Sequence, residues 1–118
     1  MNSPYKLDRL SPLTKPQLAD LQRKRFLFDG VFTTDYNLAI VNRNLARSLL
    51  QFDIDLTLHS DEPNVLSDPM LKEMPLVRSR FTTSYPEHDI FDVHLRNTWP
   101  PKASDMVGRV NAYVCFAW

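Results

Sequence analysis

The order of strand and helix patterns predicts an α/β protein with an open, mostly parallel sheet of about four strands flanked by helices. Short segments with apolar residues at every second position are typical of strands, and segments with the spacing of an amphipathic helix separate them. Of the 118 residues, 43% are apolar and 24% are charged, which is ordinary for a single globular domain. Strand–helix–strand units favour parallel strands joined by crossover connections.

The chain begins with a stretch that has no clear period. Residues 1–23 are predicted to form an arm and a short helix, in which Thr14 is the N-cap and Pro16 lies in the first turn. Residues 25–29 are predominantly apolar and are typical of a buried strand. This strand begins the first strand–helix–strand unit.

The helix that follows is predicted over residues 37–50. Its apolar face has spacings of three and four residues and consists of Leu38, Val41, Leu45 and Leu49. Arg43 and Arg47 lie on the opposite face and are expected to be solvated. Asn42 lies at the border of the apolar face, so we expect it to hydrogen-bond the neighbouring loop.

Three further strands are predicted in the second half of the chain. Apolar residues alternate over residues 52–59 and again over residues 90–95. Between these strands a short helix begins near Asp68, and Pro75 limits it to one or two turns. The fourth strand is predicted over residues 109–118.

Composition excludes several classes of function. The 14 basic and 14 acidic residues give no net charge, so a basic field for nucleic acid is not supported. Two glycines are too few for a glycine-rich phosphate loop, and Cys115 alone excludes an internal disulfide and paired-cysteine zinc sites. Asp53 and Asp55 are expected to face solvent rather than to bind a metal. No cofactor is predicted.

No membrane or export signal is visible in the sequence. The longest apolar run, residues 112–118, is far too short to span a bilayer, and the N-terminus has no apolar core of a signal peptide. The sequence therefore predicts a cytoplasmic protein without a transmembrane segment.

The candidate site residues follow predicted strands, because ligands of open parallel sheets bind beyond the carboxyl ends of the strands. Gly30 precedes a helix, where free N–H groups can receive a diphosphate or an acceptor oxygen; alternatively it is a turn glycine with an unusual φ. His94 and Arg96 share one strand face: His94 can hydrogen-bond a sugar hydroxyl or relay a proton, and Arg96 can bind a carboxylate or phosphate. Alternatively, they are the polar side of a half-buried strand. Trp99 offers either a platform for a sugar or a loop anchor.

Two segments resemble family 4 glycosyltransferases. Asp29-Gly30-Val31-Phe32, with the helix that follows, resembles their first strand, loop and helix, and residues 53–59 resemble their second strand. The segment His94-Leu95-Arg96-Asn97-Thr98-Trp99-Pro100-Pro101 is similar to a His/Arg and Trp-Pro-Pro segment in a bacterial subgroup. The resemblance covers about residues 24–118.

This resemblance implies a Rossmann-like N-terminal domain of a GT-B enzyme, which transfers a sugar from a nucleotide-sugar to an acceptor hydroxyl without a metal in its active site. In that family the N-terminal domain mainly binds the acceptor, and the C-terminal domain holds the donor. Residues 24–118 would then be an incomplete N-terminal domain, apparently truncated and inactive alone. The alternative is a small α/β interaction or regulatory module without catalytic activity.

The resemblance also implies the site and the partners. The substrate-binding residues would be Gly30, Val31, Arg96, Asn97 and Trp99. No catalytic residue is assigned, although His94 is a candidate. The partners would be the nucleotide-sugar donor and a sugar or lipid-linked acceptor, without nucleic acid, and exposed strand edges suggest a homo-oligomer.

Overall fold

A four-stranded sheet organises the chain. The computed structural model describes residues 13–33, 37–100 and 102–114. The strands are β1 (Arg25–Gly30), β2 (Asp55–His59), β3 (Phe91–Asn97) and β4 (Gly108–Tyr113). All are parallel, in the order β2-β1-β3-β4. The predicted class is confirmed: the protein is α/β, with an open Rossmann-like sheet flanked by helices. Residues 115–118 of the predicted fourth strand lie outside the described residues.

The described helices are α1 (Lys15–Gln22), α2 (Asn37–Gln51), α3 (Pro69–Lys72) and α4 (Pro75–Arg78). Thr14 caps α1 as predicted, in a reciprocal capping box with Gln17. Pro75 follows the end of α3, as expected, but it also begins α4, because proline is well tolerated in the first turn of a helix. Within the described ranges, no helix has the length and apolar character needed to cross a bilayer.

One face of the sheet packs on α2 and forms the hydrophobic core. Alternation along the strands directs a row of apolar side chains to this face. The row consists of Phe26, Phe28, Leu56 and Leu58, all buried. Ala46 of α2 packs against them. Phe32, in the loop after β1, completes the cluster: its ring packs edge-on against that of Phe28, with the ring centroids 5.3 Å apart. The core therefore fixes β1, β2 and the β1–α2 loop relative to one another.

The predicted polar side of α2 is confirmed for Arg47 and wrong for Arg43. Arg47 is exposed, whereas Arg43 is 5% exposed, and its Nη1 donates to the carbonyl of Phe32 at 2.7 Å. The β1–α2 loop approaches this side of the helix, which the spacing of apolar residues could not reveal. Asn42 bonds the loop as predicted: its Nδ2 donates to the carbonyl of Val31 at 2.8 Å.

The strand order places a crevice beside β1. The chain leaves β1 for β2 on one side, and then crosses to β3 on the other side. In open parallel sheets, the place where the strand order reverses is where ligands bind, beyond the carboxyl ends. The register aligns Asp29 of β1 with His59 of β2 and Arg96 of β3. Polar residues from three strands thus meet at this edge.

Candidate functional site

A cavity of about 540 Å³ opens at the carboxyl edge of the sheet. Its lining consists of Asp29, His59, Asp61, Tyr85, Arg96, Thr98, Trp99, Pro100, Lys102 and Asp105. Two of the predicted site residues, Arg96 and Trp99, belong to this lining. The volume is within the range of small-molecule sites, which usually measure about 300–1,000 Å³.

The floor of the cavity contains a buried charged cluster. Asp29 accepts hydrogen bonds from Nε2 of His94 at 2.5 Å and from Nε of Arg96 at 3.0 Å. All three side chains are less than a tenth exposed. They lie on the face of the sheet opposite the core, where the register places Asp29 beside Arg96. His94 and Arg96 are therefore buried and paired within the protein rather than exposed to solvent on the strand face.

Both nitrogens of His94 are engaged within the protein. Nδ1 accepts from the backbone N–H of Val107 at 3.0 Å, so the ring proton lies on Nε2 and is donated to Asp29. The imidazole is fully buried. These contacts favour a structural role for His94 over proton transfer to a ligand, and its catalytic role stays a prediction.

The guanidinium of Arg96 fastens the β3–β4 loop to the sheet. Nη1 donates to the carbonyls of Lys102 and Ser104 and to the carboxylate of Asp105, at 2.8–2.9 Å. Nη2 donates to the hydroxyl of Tyr85 at 3.1 Å. Together with the bond from Nε to Asp29, these contacts use most of its donors. Arg96 lines the cavity, but its donors are bonded to the protein, and its substrate-binding role stays a prediction.

Burial and the charges around Arg96 shift the pKa values of three groups at the cavity. Partial burial raises the pKa of the Asp105 carboxyl, but hydrogen bonds from Arg96 and Lys102 outweigh burial, so this pKa lies below its ordinary value. Burial raises the pKa of the Tyr85 phenol despite the nearby Arg96 charge. Burial lowers the pKa of Arg96, but the charge of Asp29 and its hydrogen bonds more than compensate. At neutral pH, Asp105 is an anion and Tyr85 a neutral donor.

Gly30 is required by close packing rather than by its dihedral angle. No glycine in the described residues has a positive φ, so the alternative of a turn glycine with an unusual φ is wrong. A Cβ at this position would lie 2.5 Å from the carbonyl oxygen of Asn97 and 2.8 Å from Nδ2 of Asn42. Asn42 and Asn97 are buried and bonded side chain to side chain at 2.8 Å. Gly30, Val31 and Asn97 thus pack against or bond to Asn42, and none of the three is part of the cavity lining.

The backbone donors after β1 are already occupied by a side chain of the protein. Glu62, in the loop after β2, accepts from the N–H of Phe32 at 2.6 Å and from the N–H of Thr33 at 3.1 Å. The hydroxyl groups of Thr33 and Ser60 also donate to this carboxylate. A diphosphate predicted for the Gly30 loop would compete with Glu62 for these groups.

Two further residues of the cavity lining, His59 and Tyr85, are not among the predicted site residues, whereas Trp99 is. His59 packs edge-on against Tyr85, with ring centroids 5.2 Å apart, and its Nε2 lies 3.6 Å from Asp61. Trp99 is 65% exposed, so it is not an anchor packed on the core. Tyr85 comes from a segment without a helical or strand period, and only its aromatic character could have suggested a role.

Comparisons of the chain with protein-family models, curated proteins and solved structures yield no match. The site is therefore interpreted from its own residues: a cavity at the strand-order reversal, with internally paired cations, exposed carboxylate oxygens and two aromatic rings.

Proposed function

We propose that the chain is the acceptor-binding part of a glycosyltransferase with the GT-B fold, and that the cavity holds the sugar acceptor. In the complete reaction a nucleotide-sugar donates a sugar to an acceptor hydroxyl. Support comes from the Rossmann-like sheet, from the position of the cavity at the reversal of strand order, and from the resemblance over residues 94–101.

The observation that carries this proposal is the balance of donors and acceptors around the cavity. The cations Arg96 and Lys102 are both paired with Asp105, at 2.9 and 3.2 Å. Asp61 contributes a carboxylate whose side chain is 97% exposed. A phosphate would meet carboxylates and few free cationic donors, whereas sugar hydroxyls can donate to these oxygens. The lining therefore favours a neutral polyhydroxylated ligand.

Aromatic rings at the cavity provide a surface on which a bound sugar can stack. Trp99 is exposed at the mouth of the cavity, and Tyr85 lines its wall. The apolar C–H face of a pyranose can stack on such rings while its hydroxyls bond to polar neighbours. A site with one apolar and one polar side distinguishes a carbohydrate from a purely ionic ligand.

The proposal is tested by NMR titration of the 118-residue chain with methyl glycosides of glucose, galactose and mannose. We expect shifts of the Trp99 indole and of amides around Thr98. Trp99→Ala should weaken binding by about tenfold or more, as expected when one stacking contact is lost. Phe52→Ala is the matched control, because Phe52 is also an exposed aromatic residue, at 55%, and is not part of the cavity lining.

Equal loss of affinity in the Trp99 and Phe52 variants would place the ligand elsewhere. The absence of shifts with every glycoside would contradict the proposal itself. A nucleotide-sugar donor belongs to the same proposal and follows from the resemblance rather than from the cavity. A cytoplasmic location, expected from the sequence, is part of the proposal as well.

Self-association through a strand edge is also proposed. Among the described strands, β4 has a neighbour on one side only, and Val110 in it is 60% exposed. Such an edge can pair with a second copy of the chain. Light scattering at increasing concentration should detect a dimer, and Val110→Lys should reduce it; a monomer at all concentrations would contradict this proposal.

A further inference from the structure

An apolar groove lies between α2 and α4 and shares no residue with the cavity at the sheet edge. Its volume is about 300 Å³. One wall is the C-terminal half of α2, with Arg47 and Leu50. The other wall is the turn after α3 together with α4, and it contains Glu73, Met74 and Leu76.

The helical layer that forms the second wall has exposed apolar side chains. Leu66 is 37% exposed, Met70 40% and Leu76 69%. They lie in three short elements, each packed on the next: a 3-10 turn (Val65–Ser67), α3 and α4. Neighbouring exposed apolar side chains are typical of an interaction surface, because covering them removes apolar area from water.

The two walls of the groove have opposite charges. Arg47, on the α2 wall, is exposed, and its Nη2 donates to Asn44 of the same helix at 3.0 Å. Glu73, on the facing wall, is also exposed. Neither residue forms an ion pair with any other residue that the structure describes. The groove therefore presents a cation on one wall and an anion on the other to whatever covers it.

This charge pattern is complementary to itself. In a twofold contact the same surface of two copies meets, so each residue of a contact pair meets the other one in the second copy. A rotation that places the α2 wall of one copy over the α4 wall of the other forms the Arg47–Glu73 pair twice. A partner with charges of one sign would attract one wall and repel the other, whereas a second copy satisfies both.

We propose that the groove is a self-association surface, on which two copies of the chain form a twofold dimer. Leu76 of each copy packs into the groove of the other, and two Arg47–Glu73 pairs flank this apolar contact. The apolar contact supplies affinity, and the charged pairs determine the orientation. This surface goes beyond the proposed function, and it is separate from the β4 edge because none of its residues lies in β4.

The test uses the 118-residue chain with Val110→Lys, so that pairing of the β4 edge does not contribute. Sedimentation velocity over a range of concentrations should show a monomer–dimer equilibrium. Adding Leu76→Lys should raise the dimer Kd by about tenfold or more, because a charge then enters the apolar centre of the contact. Ile90→Lys is the matched control: Ile90 is 66% exposed and lies outside the groove lining, so its variant should dimerise like the parent.

Reversal of single charges tests the twofold arrangement. Arg47→Glu and Glu73→Arg should each raise the dimer Kd by about tenfold or more, because like charges then face each other twice. An equimolar mixture of the two variants should form a heterodimer, since one copy is acidic on both walls and the other is basic. Both reversals in one chain should restore the homodimer.

Two further reversals are the matched controls, Arg80→Glu and Glu87→Arg. Both residues are exposed and outside the groove, so these variants should behave like the parent alone and when mixed. A monomeric Val110→Lys chain at all concentrations would overturn the proposal and leave the groove to a different partner. Loss of the dimer in Leu76→Lys without any effect of the Arg47 and Glu73 reversals would overturn the twofold arrangement.

Discussion

At the residue scale, Asp29 holds the most consequential position. It is buried in β1 and accepts hydrogen bonds from both His94 and Arg96 of β3. One carboxylate therefore connects β1 to two side chains of β3. Removing one partner of a buried charged pair typically costs about 3–5 kcal/mol. We expect Asp29→Asn to lower the free energy of unfolding by about that amount in urea melts. Asp55→Asn, at an exposed position of β2, should have little effect, and equal effects would contradict the assignment.

Gly30 gives a second test at the residue scale. Its hypothetical Cβ would overlap the carbonyl of Asn97, which belongs to the backbone of β3 and cannot move alone. We expect Gly30→Ala to destabilise the fold by about 1–3 kcal/mol, as overpacking commonly does. Ser48→Ala on the exposed side of α2 serves as the control. An unchanged urea midpoint in Gly30→Ala would show that the backbone of Asn97 leaves room for a Cβ at position 30.

The chemistry of single residues was only partly predictable from the sequence. Alternation placed His94 and Arg96 on one strand face, and the register confirms this. Their partner Asp29 lies 65 residues away from His94, so no local pattern could pair them. Asp105 accepts a hydrogen bond from Arg96, and its own backbone has a φ of 60°. The loop sequence does not specify this left-handed conformation.

At the scale of elements, the loop between β3 and β4 depends on the charge of Asp105. The pKa of this carboxyl is lowered in the folded protein, so its bonds to Arg96 and Lys102 stabilise the loop above its ordinary pKa of 3.8. That contribution is lost as the pH falls through the lowered pKa. We expect amide signals of residues 102–107 to change below about pH 3.8. In Asp105→Asn this titration should be absent; if it persists, another group anchors the loop.

The loop after β1 is held by an element that follows it in sequence. Glu62 accepts both the Phe32 and the Thr33 N–H groups. Glu62→Ala leaves these donors without their carboxylate, which should cost about 1–3 kcal/mol and accelerate hydrogen exchange of both amides. Glu73→Ala, exposed in the turn between α3 and α4, should change neither quantity. Unchanged exchange at Phe32 would mean that Glu62 is not its partner in solution.

Element prediction succeeded where periodicity was strong and failed where it was not. The strands and α2 follow from their apolar spacing, although their ends shifted by a few residues. The sequence does not predict α4, because Pro75 indicates the end of α3 and not the start of another helix. The solvated position predicted for Arg43 failed because the β1–α2 loop packs on that side of the helix, a tertiary contact without a signature in the helix itself.

At the scale of the whole molecule, the proposed function would make one open sheet edge a single wall of a transfer site. Glycosyl transfer needs donor and acceptor in near-attack geometry and a stabilised leaving diphosphate. In the described parts of the chain, the charges beside the cavity are paired internally and Glu62 occupies the loop donors. We therefore expect no sugar transfer by the 118-residue chain, measured by mass spectrometry with a panel of nucleotide-sugars and acceptors. Transfer by this chain alone would contradict the acceptor-binding role.

The central claim is that the cavity accepts a neutral carbohydrate and disfavours an anion. Parallel NMR titrations with the methyl glycosides and with uridine diphosphate test it most directly. Binding of a glycoside would shift signals of the cavity residues, whereas binding of a diphosphate would shift the backbone amides after β1. The account predicts that a glycoside shifts Trp99 and His59, while uridine diphosphate leaves Phe32 and Thr33 unchanged because Glu62 holds their N–H groups. Shifts of Phe32 and Thr33 with uridine diphosphate, together with no response to any glycoside, would contradict it.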